Sequence, residues 1–267
     1  MTIPEIEKVL AEAISTPDPC LQELLNHVLK GGKGMRPSLV FTCAQFGRHD
    51  ALEVQRTAVA IELVHLASLI HDDIMDGAET RRNRPALHCL YGNLPAVLAG
   101  DYLFATAFSL LTKGKKAILY TVTEAIRSMC SGEILQLSAS APDINAYYTY
   151  IGQKTAALFS AACRCGSILG HLKRQQQDCL ARFGWHLGLT YQIIDDFLDL
   201  FGCAEKMNKP CRQDLRRGLY TLPVIRFLQL SPDAPQWQKN IERGLQVDEI
   251  EKLSILARKL GCDRYTV

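Results

Sequence analysis

Glu62–Asp76 reads ELVHLASLIHDDIMD, and the whole chain is organised around this stretch. Apolar residues at 63, 64, 66, 67, 69, 70, 74 and 75 cover most of a helical circumference. Asp72 and Asp76 fall one turn apart on one side, with Asp73 about 100° round from Asp72. His65 lies two turns below Asp72 on the same side. Such a helix is buried along its length and carries acid to one end. Three carboxylates this close repel one another unless something positive sits among them. A hard divalent cation is the natural partner, and Mg²⁺ is commonly held by one or two carboxylates plus substrate phosphates. By itself the run also reads as a solvated acidic helix end.

A second copy changes that balance. Tyr191–Asp199 reads YQIIDDFLD, and Asp195, Asp196 and Asp199 repeat the spacing of Asp72, Asp73 and Asp76. Two apolar helices each ending in DDxxD are expected to face each other across a cavity and to cage metal ions around a diphosphate.

Composition sets the frame. The 267 residues are 48% hydrophobic and 22% charged, which suits one domain, or two, with ample core. A net charge of +2 gives no bulk electrostatic case for nucleic acid. Among the ten cysteines there is no CxxC pair and no zinc-ligand spacing. They read as free thiols of a reducing cytoplasm. The N-terminal MTIPEIEKVL is acidic and amphipathic, unlike a signal peptide, and no run of 18 consecutive apolar residues predicts a membrane span.

Periodicity predicts helices throughout: 3–13, 20–29, 37–46, 51–75, 95–111, 117–138, 144–169, 175–201 and 220–230, with two short segments, 234–245 and 248–260. Asp18, Asp50 and Asp143 stand where N-caps are expected. No strand of any length appears, so the fold class is all-α. Lys33 and Arg36 sit in a glycine-rich bend before Pro37, a credible phosphate site and equally a solvated basic loop. Arg81, Arg82 and Arg84 come after the first acid motif in a loop bracketed by Gly77 and Pro85. Glu133 and Gln136 lie among apolar residues and need partners. Lys154 either snorkels to water from an apolar face or meets a diphosphate in a cleft.

Taken together and in order, GGKGMRP (31–37), HDDIMD (71–76), RRNRP (81–85), GEILQL (132–137), QKT (153–155), YQIIDDFLD (191–199) and DLRRGLYTLP (214–223) resemble the trans-isoprenyl diphosphate synthases, the polyprenyl synthetase family, over roughly 25–225. The resemblance implies an isoprenoid synthase fold, with long helices around a central cavity. It treats 1–267 as a single polyprenyl synthetase domain with an abbreviated C-terminal part.

In site residues the resemblance implies Mg²⁺ held by Asp72, Asp73 and Asp76 and by Asp195 and Asp199, with Asp196 completing the second motif. Catalysis falls to Asp72, Asp73, Asp76, Lys154, Asp195 and Asp196. Lys33, Arg36, His65 and Arg82 match the residues that hold isopentenyl diphosphate. Arg81, Lys154, Thr155, Gln192 and Lys209 match those around the allylic diphosphate. Three positions depart from the family pattern: Gly34 where arginine is common, Leu219 where lysine is, and Arg212 where glycine is.

The resemblance also carries product length, set by what blocks the cavity below the first acid motif. Ala67 and Ser68, five and four residues before Asp72, are small. Together with GEILQL and QKTAALF they point to a medium- or long-chain product of about C30 or longer. Geranylgeranyl or farnesyl diphosphate synthase is the shorter alternative. A terpene cyclase needs no second diphosphate site, so Lys33, Arg36 and His65 argue against it. A regulatory subunit of a heteromeric synthase is the non-catalytic alternative, favoured by Leu219 and disfavoured by intact acid motifs. The family implies a homodimer and leaves room for a heteromeric partner, and a greasy product would draw the protein to a membrane surface.

Overall fold

The computed structural model describes residues 3–29, 32, 34–138, 142–202 and 211–266. Lys33 and Lys209, both expected at the site, lie outside the described residues. In chain order the helices are α1 (Ile3–Ala13), α2 (Pro19–Val28), α3 (Met35–Ala44), α4 (Ala51–Met75), α5 (Leu87–Tyr91), α6 (Asn93–Leu111), α7 (Lys116–Ser138) and α8 (Ile144–Ile151). A π-helical turn, Gly152–Ala156, joins α8 to α9 (Ala157–Leu169). After α10 (Arg174–Phe201) come α11 (Gln213–Arg216), α12 (Leu222–Leu230), α13 (Ala234–Glu242), α14 (Val247–Lys259) and α15 (Cys262–Thr266).

The all-α expectation holds, with one small addition. Residues 80–85, read from sequence as loop, form a two-stranded antiparallel ladder, β1 (Thr80–Arg81) with β2 (Arg84–Pro85). Two residues per strand are too few to display alternation in a sequence. The predicted caps are made: Asp18 accepts from the Cys20 and Leu21 amides, Asp50 from Glu53 at 2.9 Å, and Asp143 from Asn145 and Ala146. Each satisfies helix-end donors that would otherwise lack partners.

The chain divides into two compact units, each discontinuous in sequence, where composition allows one domain or two and the resemblance implies one. Unit one comprises Met1–Arg127 and Ala157–Trp185. Its axis is α4, buried nearly all round through Val54, Ala58–Ile61, Leu63, Val64, Leu66, Ala67 and Ile70. Helices α3, α6 and α9 pack on α4. By length and composition alone α6 could cross a membrane, although Asp101 and other polar residues interrupt its apolar run. Ala96, Ala99, Leu103, Ala107 and Leu111 are nonetheless buried on its inner side, as in a core helix.

Unit two comprises Ser128–Ala156 and His186–Val267. Its core gathers Tyr147, Tyr150, Leu200, Leu215, Phe227, Trp237 and Leu253. Ser254 donates to the Leu200 carbonyl at 3.0 Å, tying α14 to the end of α10.

Candidate active site

In unit one the site grows from the foot of α4. Asp73 is buried, while Asp72 and Asp76 are half-exposed. The chain then turns back within a few residues. Ala78 donates to the Asp73 carbonyl at 2.9 Å and Ala86 to the Glu79 carbonyl at 2.9 Å, closing the β1–β2 hairpin. Arg82 and Asn83 hold its tip with positive φ, 53° and 58°. This is the pattern of the tight hairpin turn whose twist matches the strands. Asparagine suits that conformation; an arginine there is strained, and strain of this kind gathers at functional sites.

The hairpin delivers two adjacent arginines to two carboxylates on one face of α4. Arg81 donates through Nε at 2.8 Å and through Nη2 to the Asp73 carboxylate. Burial weakens its charge, but that bond and the fields of Asp73, Asp72 and Asp76 hold its pKa above the ordinary value. The positive partner that three clustered acids require is therefore Arg81 at Asp73. Asp73, expected as a metal ligand, and Arg81, expected at the allylic diphosphate, are here each other's partners. The physical cause is the hairpin, which brings a bidentate donor onto a buried carboxylate.

Arg82 lies beside Glu62 and His65, eleven and eight residues before Asp73. Arg36, at the start of α3, acts on the same two groups, and its guanidinium stacks over the Phe159 ring at 4.3 Å. Burial first, then Arg36, Arg82 and Arg81, push the His65 pKa well down, so the ring is neutral at physiological pH. Three of the four residues expected around isopentenyl diphosphate thus lie together, with Lys33 outside the described residues. His27 and Arg84 brace the hairpin from behind. Arg84 donates to the His27 carbonyl at 2.9 Å, and His27 Nε2 meets the Pro85 carbonyl at 2.8 Å.

Ser68 is half-buried and donates to its own helix at the His65 carbonyl, 2.8 Å away, whereas Ala67 is fully buried. Ser68 sits one turn below Asp72 on the same face; Ala67 lies about 140° round from Asp72.

Unit two carries the second constellation. A helix predicted as continuous over 144–169 widens into the π turn Gly152–Ala156, which presents Lys154 and Thr155. Such turns frequently mark functional positions. Gly132 of α7 lets this turn approach: a Cβ there would stand 2.4 Å from the Lys154 amide nitrogen. The close approach brings Glu133 and Gln136 to Lys154, whose Nζ lies 2.5 Å from Glu133 Oε2 and 2.7 Å from Gln136 Oε1. Lys154 is half-buried and held by these two groups, so it does not snorkel.

Thr155 donates to Gln192 Oε1 at 2.7 Å, Gln192 donates to Asp196 Oδ1 at 2.8 Å, and Tyr147 donates to Asp196 Oδ2 at 2.7 Å. Asp196 is buried, and burial pushes its pKa up to about 7, with Gln192 and Tyr147 opposing and Asp195 and Asp199 adding to the rise. Asp199 is also buried. Its carboxylate accepts from the Gln213 and Asp214 amides, both at 3.1 Å, and so caps α11. Asp199, expected as a metal ligand, is held here by these two backbone amides. Asp195 is half-exposed, the most accessible of the three.

Asp214 joins this acidic cluster, its pKa raised by burial and by Asp199, Asp196 and Asp195 against the pull of Arg217. Sequence reasoning missed Glu62, Tyr147 and Asp214 as site members. Glu62 had a signal, a lone charge within an apolar face. Asp214 lay inside a quoted motif, and Tyr147 gave none.

Mg²⁺ seeks hard oxygen donors, and Asp72, Asp76 and Asp195 are half-exposed carboxylates of that kind. Among the described residues no three acids, histidines or cysteines form a ready-made metal nest. Half-exposed carboxylates of this kind suit a cation that takes one or two of them and completes its shell with phosphate oxygens and water.

The departures from the expected pattern have a backbone account at two positions. Gly34 and Arg212 both take left-handed φ, 56° and 62°. Glycine is at home there and arginine is strained.

Comparison with known proteins bears on the whole chain. The polyprenyl synthetase family pattern matches residues 18–256, taking in both units. Heptaprenyl diphosphate synthase component 2 of Bacillus subtilis is 34% identical over 229 residues, covering 84% of this chain and 66% of that protein. A short chain isoprenyl diphosphate synthase of Methanocaldococcus jannaschii is 36% identical over 220 residues, covering 79% of this chain and 67% of that one. The chain thus spans about two thirds of the length of these two curated relatives. The crystal structure of a polyprenyl synthase from Caulobacter crescentus, complexed with calcium and isoprenyl diphosphate, superposes with a TM-score of 0.94 at 30% identity, covering 99% of this chain and 83% of that one.

Proposed function

This chain is a prenyltransferase of the polyprenyl synthetase family with the isoprenoid synthase fold, and from that premise we propose that it condenses isopentenyl diphosphate head to tail onto an allylic diphosphate. The observation that carries the reading is the cluster in unit one. Arg36, Arg81 and Arg82 gather along a helix that also bears Asp72, Asp73 and Asp76. Cations for a diphosphate and carboxylates for a divalent metal on one element suit this chemistry.

Arg36 and Arg82 hold the diphosphate of isopentenyl diphosphate, with neutral His65 offering a hydrogen bond without further charge. Lys154, aligned by Glu133 and Gln136, holds the allylic diphosphate and stabilises the negative charge that grows on it as the carbon–oxygen bond breaks. Thr155 and Gln192 form the neighbouring hydrogen-bonded pair. Asp72 and Asp76 in unit one, and Asp195 in unit two, are the carboxylates that would hold Mg²⁺, which when bound would supply positive charge toward the leaving diphosphate. The isopentenyl double bond attacks the allylic cation, and the proton then lost goes to the diphosphate released, so no protein base is required. Water must be excluded until then.

The finer reading is a product of about C30 or longer, supported by the small side chains at Ala67 and Ser68. The protein works as a homodimer, a reading supported by exposed Leu94, Val97 and Leu98 on α6. It is cytoplasmic, as the unpaired buried thiols Cys43, Cys163, Cys165 and Cys262 suggest.

One assay tests the reaction, the product length and the need for a partner subunit. Purified chain is incubated with Mg²⁺, isopentenyl diphosphate and allylic primers from C5 to C20, and dephosphorylated products are sized by chromatography. Elongation without a second protein is expected. Its absence at every primer, restored by an added partner subunit, would favour the regulatory-subunit reading. Replacing Ser68 or Ala67 with tyrosine is expected to shorten the product.

A further inference from the structure

Glu62 opens the central stretch and has no part in the roles assigned above. It is 4% exposed, and a carboxylate so buried needs cations near it. Arg36 and Arg82 are those cations. Burial raises the Glu62 pKa, and the two arginines pull it back down. The approach is close on the Gly32 side: a Cβ there would lie 3.3 Å from Arg82 Nη1 and 3.5 Å from Glu62 Oε1. Gly32, Gly34, Glu62, Leu66 and Arg82 line one small cavity at this point.

Glu62 and Asp73 are eleven residues apart, hence on nearly the same face of α4 and about 16 Å apart along it. Adjacent hairpin residues thus reach separate acids, Arg81 at Asp73 and Arg82 beside Glu62. Arg82 also holds a strained φ of 53° at the hairpin tip. An arginine kept there needs something to direct its head group.

We infer that Glu62 is a positioning residue for the isopentenyl diphosphate site, its carboxylate setting the Arg36 and Arg82 guanidinium groups where they meet the diphosphate. This rests on the proposed function above. Its sign is distinctive, because the Glu62 charge by itself repels a diphosphate. A field acting alone would make Glu62→Gln bind the substrate more tightly. Positioning makes it bind more weakly, since two guanidinium groups lose their common anchor.

The experiment is isothermal titration of full-length enzyme with isopentenyl diphosphate alone, beside steady-state kinetics and thermal melts. Glu62→Gln is expected to weaken binding about tenfold and to raise KM for isopentenyl diphosphate by a similar factor. The kcat at saturation and the KM for the allylic primer should stay within about twofold, and Glu62→Asp should recover part of the affinity. Gly32→Ala places a Cβ 3.3 Å from Arg82 Nη1 and 3.5 Å from Glu62 Oε1, crowding the same pair, and is expected to raise the same KM, which keeps the inference testable should Glu62→Gln not fold. Unchanged or tighter binding by Glu62→Gln, or unchanged KM in Gly32→Ala, overturns the role of Glu62 while leaving the proposed function standing. Wild-type enzyme that binds no isopentenyl diphosphate overturns both.

Discussion

Asp73 and Asp196 hold the same place in two copies of DDxxD, yet Asp73 meets an arginine while Asp196 meets a glutamine and a tyrosine. The third residues differ too. Asp76 ends its helix half-exposed, whereas Asp199 is buried and caps another helix. The segment packed against each motif makes the difference. Directly after the first, a tight hairpin swings Arg81 onto the acids. The second is approached by α11, which brings backbone amides and another carboxylate, Asp214. Lys154 of unit two is meanwhile bound to Glu133 and Gln136. Equal spelling therefore gives one carboxylate matched by charge and another matched by neutral donors, and burial pushes the Asp196 carboxyl up to about 7.

The largest expected effect comes from removing what aligns Lys154. Gly132→Ala forces a methyl against the backbone of the π turn, 2.4 Å from the Lys154 nitrogen. It should cost about 3 kcal/mol of stability and most of the activity. Urea melts and turnover of the same samples would measure both, and near-wild-type values would mean that the turn is not locked in place.

Double-mutant cycles come next. The Arg81→Gln and Asp73→Asn pair should show a coupling of about 2 kcal/mol, because either change alone strands a buried or half-buried charge. The Tyr147→Phe and Asp196→Asn pair should show about 1 kcal/mol, as for a neutral donor. Equal couplings would erase the contrast between the motifs.

The contrast also appears in pH dependence. The folded pKa of Asp196, about 7, stands above an unfolded value of about 4. The folded chain thus keeps a proton that the unfolded chain has lost, and this group's contribution falls as pH rises from about 4 through about 7. Measured with EDTA present, the stability of wild type relative to Asp196→Asn should drop by about 2 kcal/mol between pH 5 and 7. His65 acts in the opposite direction. Its folded pKa is depressed, so its contribution is lost as pH falls below about 6.5. The difference from Asp196→Asn cancels that background, and a flat difference would show Asp196 to be ionised throughout.

The smallest effect is Arg212→Gly, which relieves a left-handed φ of 62° beside the second motif. It should raise stability by about 0.5 kcal/mol, since relief of strain is partly offset by glycine's greater freedom when unfolded. A lowered melting temperature would mean that the Arg212 side chain contributes more than its backbone strain costs.

Much of the site was legible because helices repeat every 3.6 residues. In ELVHLASLIHDDIMD the spacing alone puts Asp72, Asp76 and His65 on one side of a helix. The pairing partners were not legible, because they depend on turns. Arg81 reaching Asp73 requires two consecutive left-handed residues at 82 and 83, and only Asn83 advertises one. Lys154 meeting Glu133 requires a π turn and a glycine contact between helices far apart in sequence. Tyr147 finding Asp196 joins residues 49 positions apart.

By itself the sequence determined the all-α class, the buried central helix and the two acid motifs, since these arise from periodicity and side-chain chemistry along a single element; the residues expected around the diphosphates followed from the family resemblance. The tertiary structure decided which acids are neutralised, which keep a proton, and that a buried Glu62 feels the charge of two arginines. Those outcomes turn on burial and on partners brought from elsewhere in the chain, and both arise only when the helices pack.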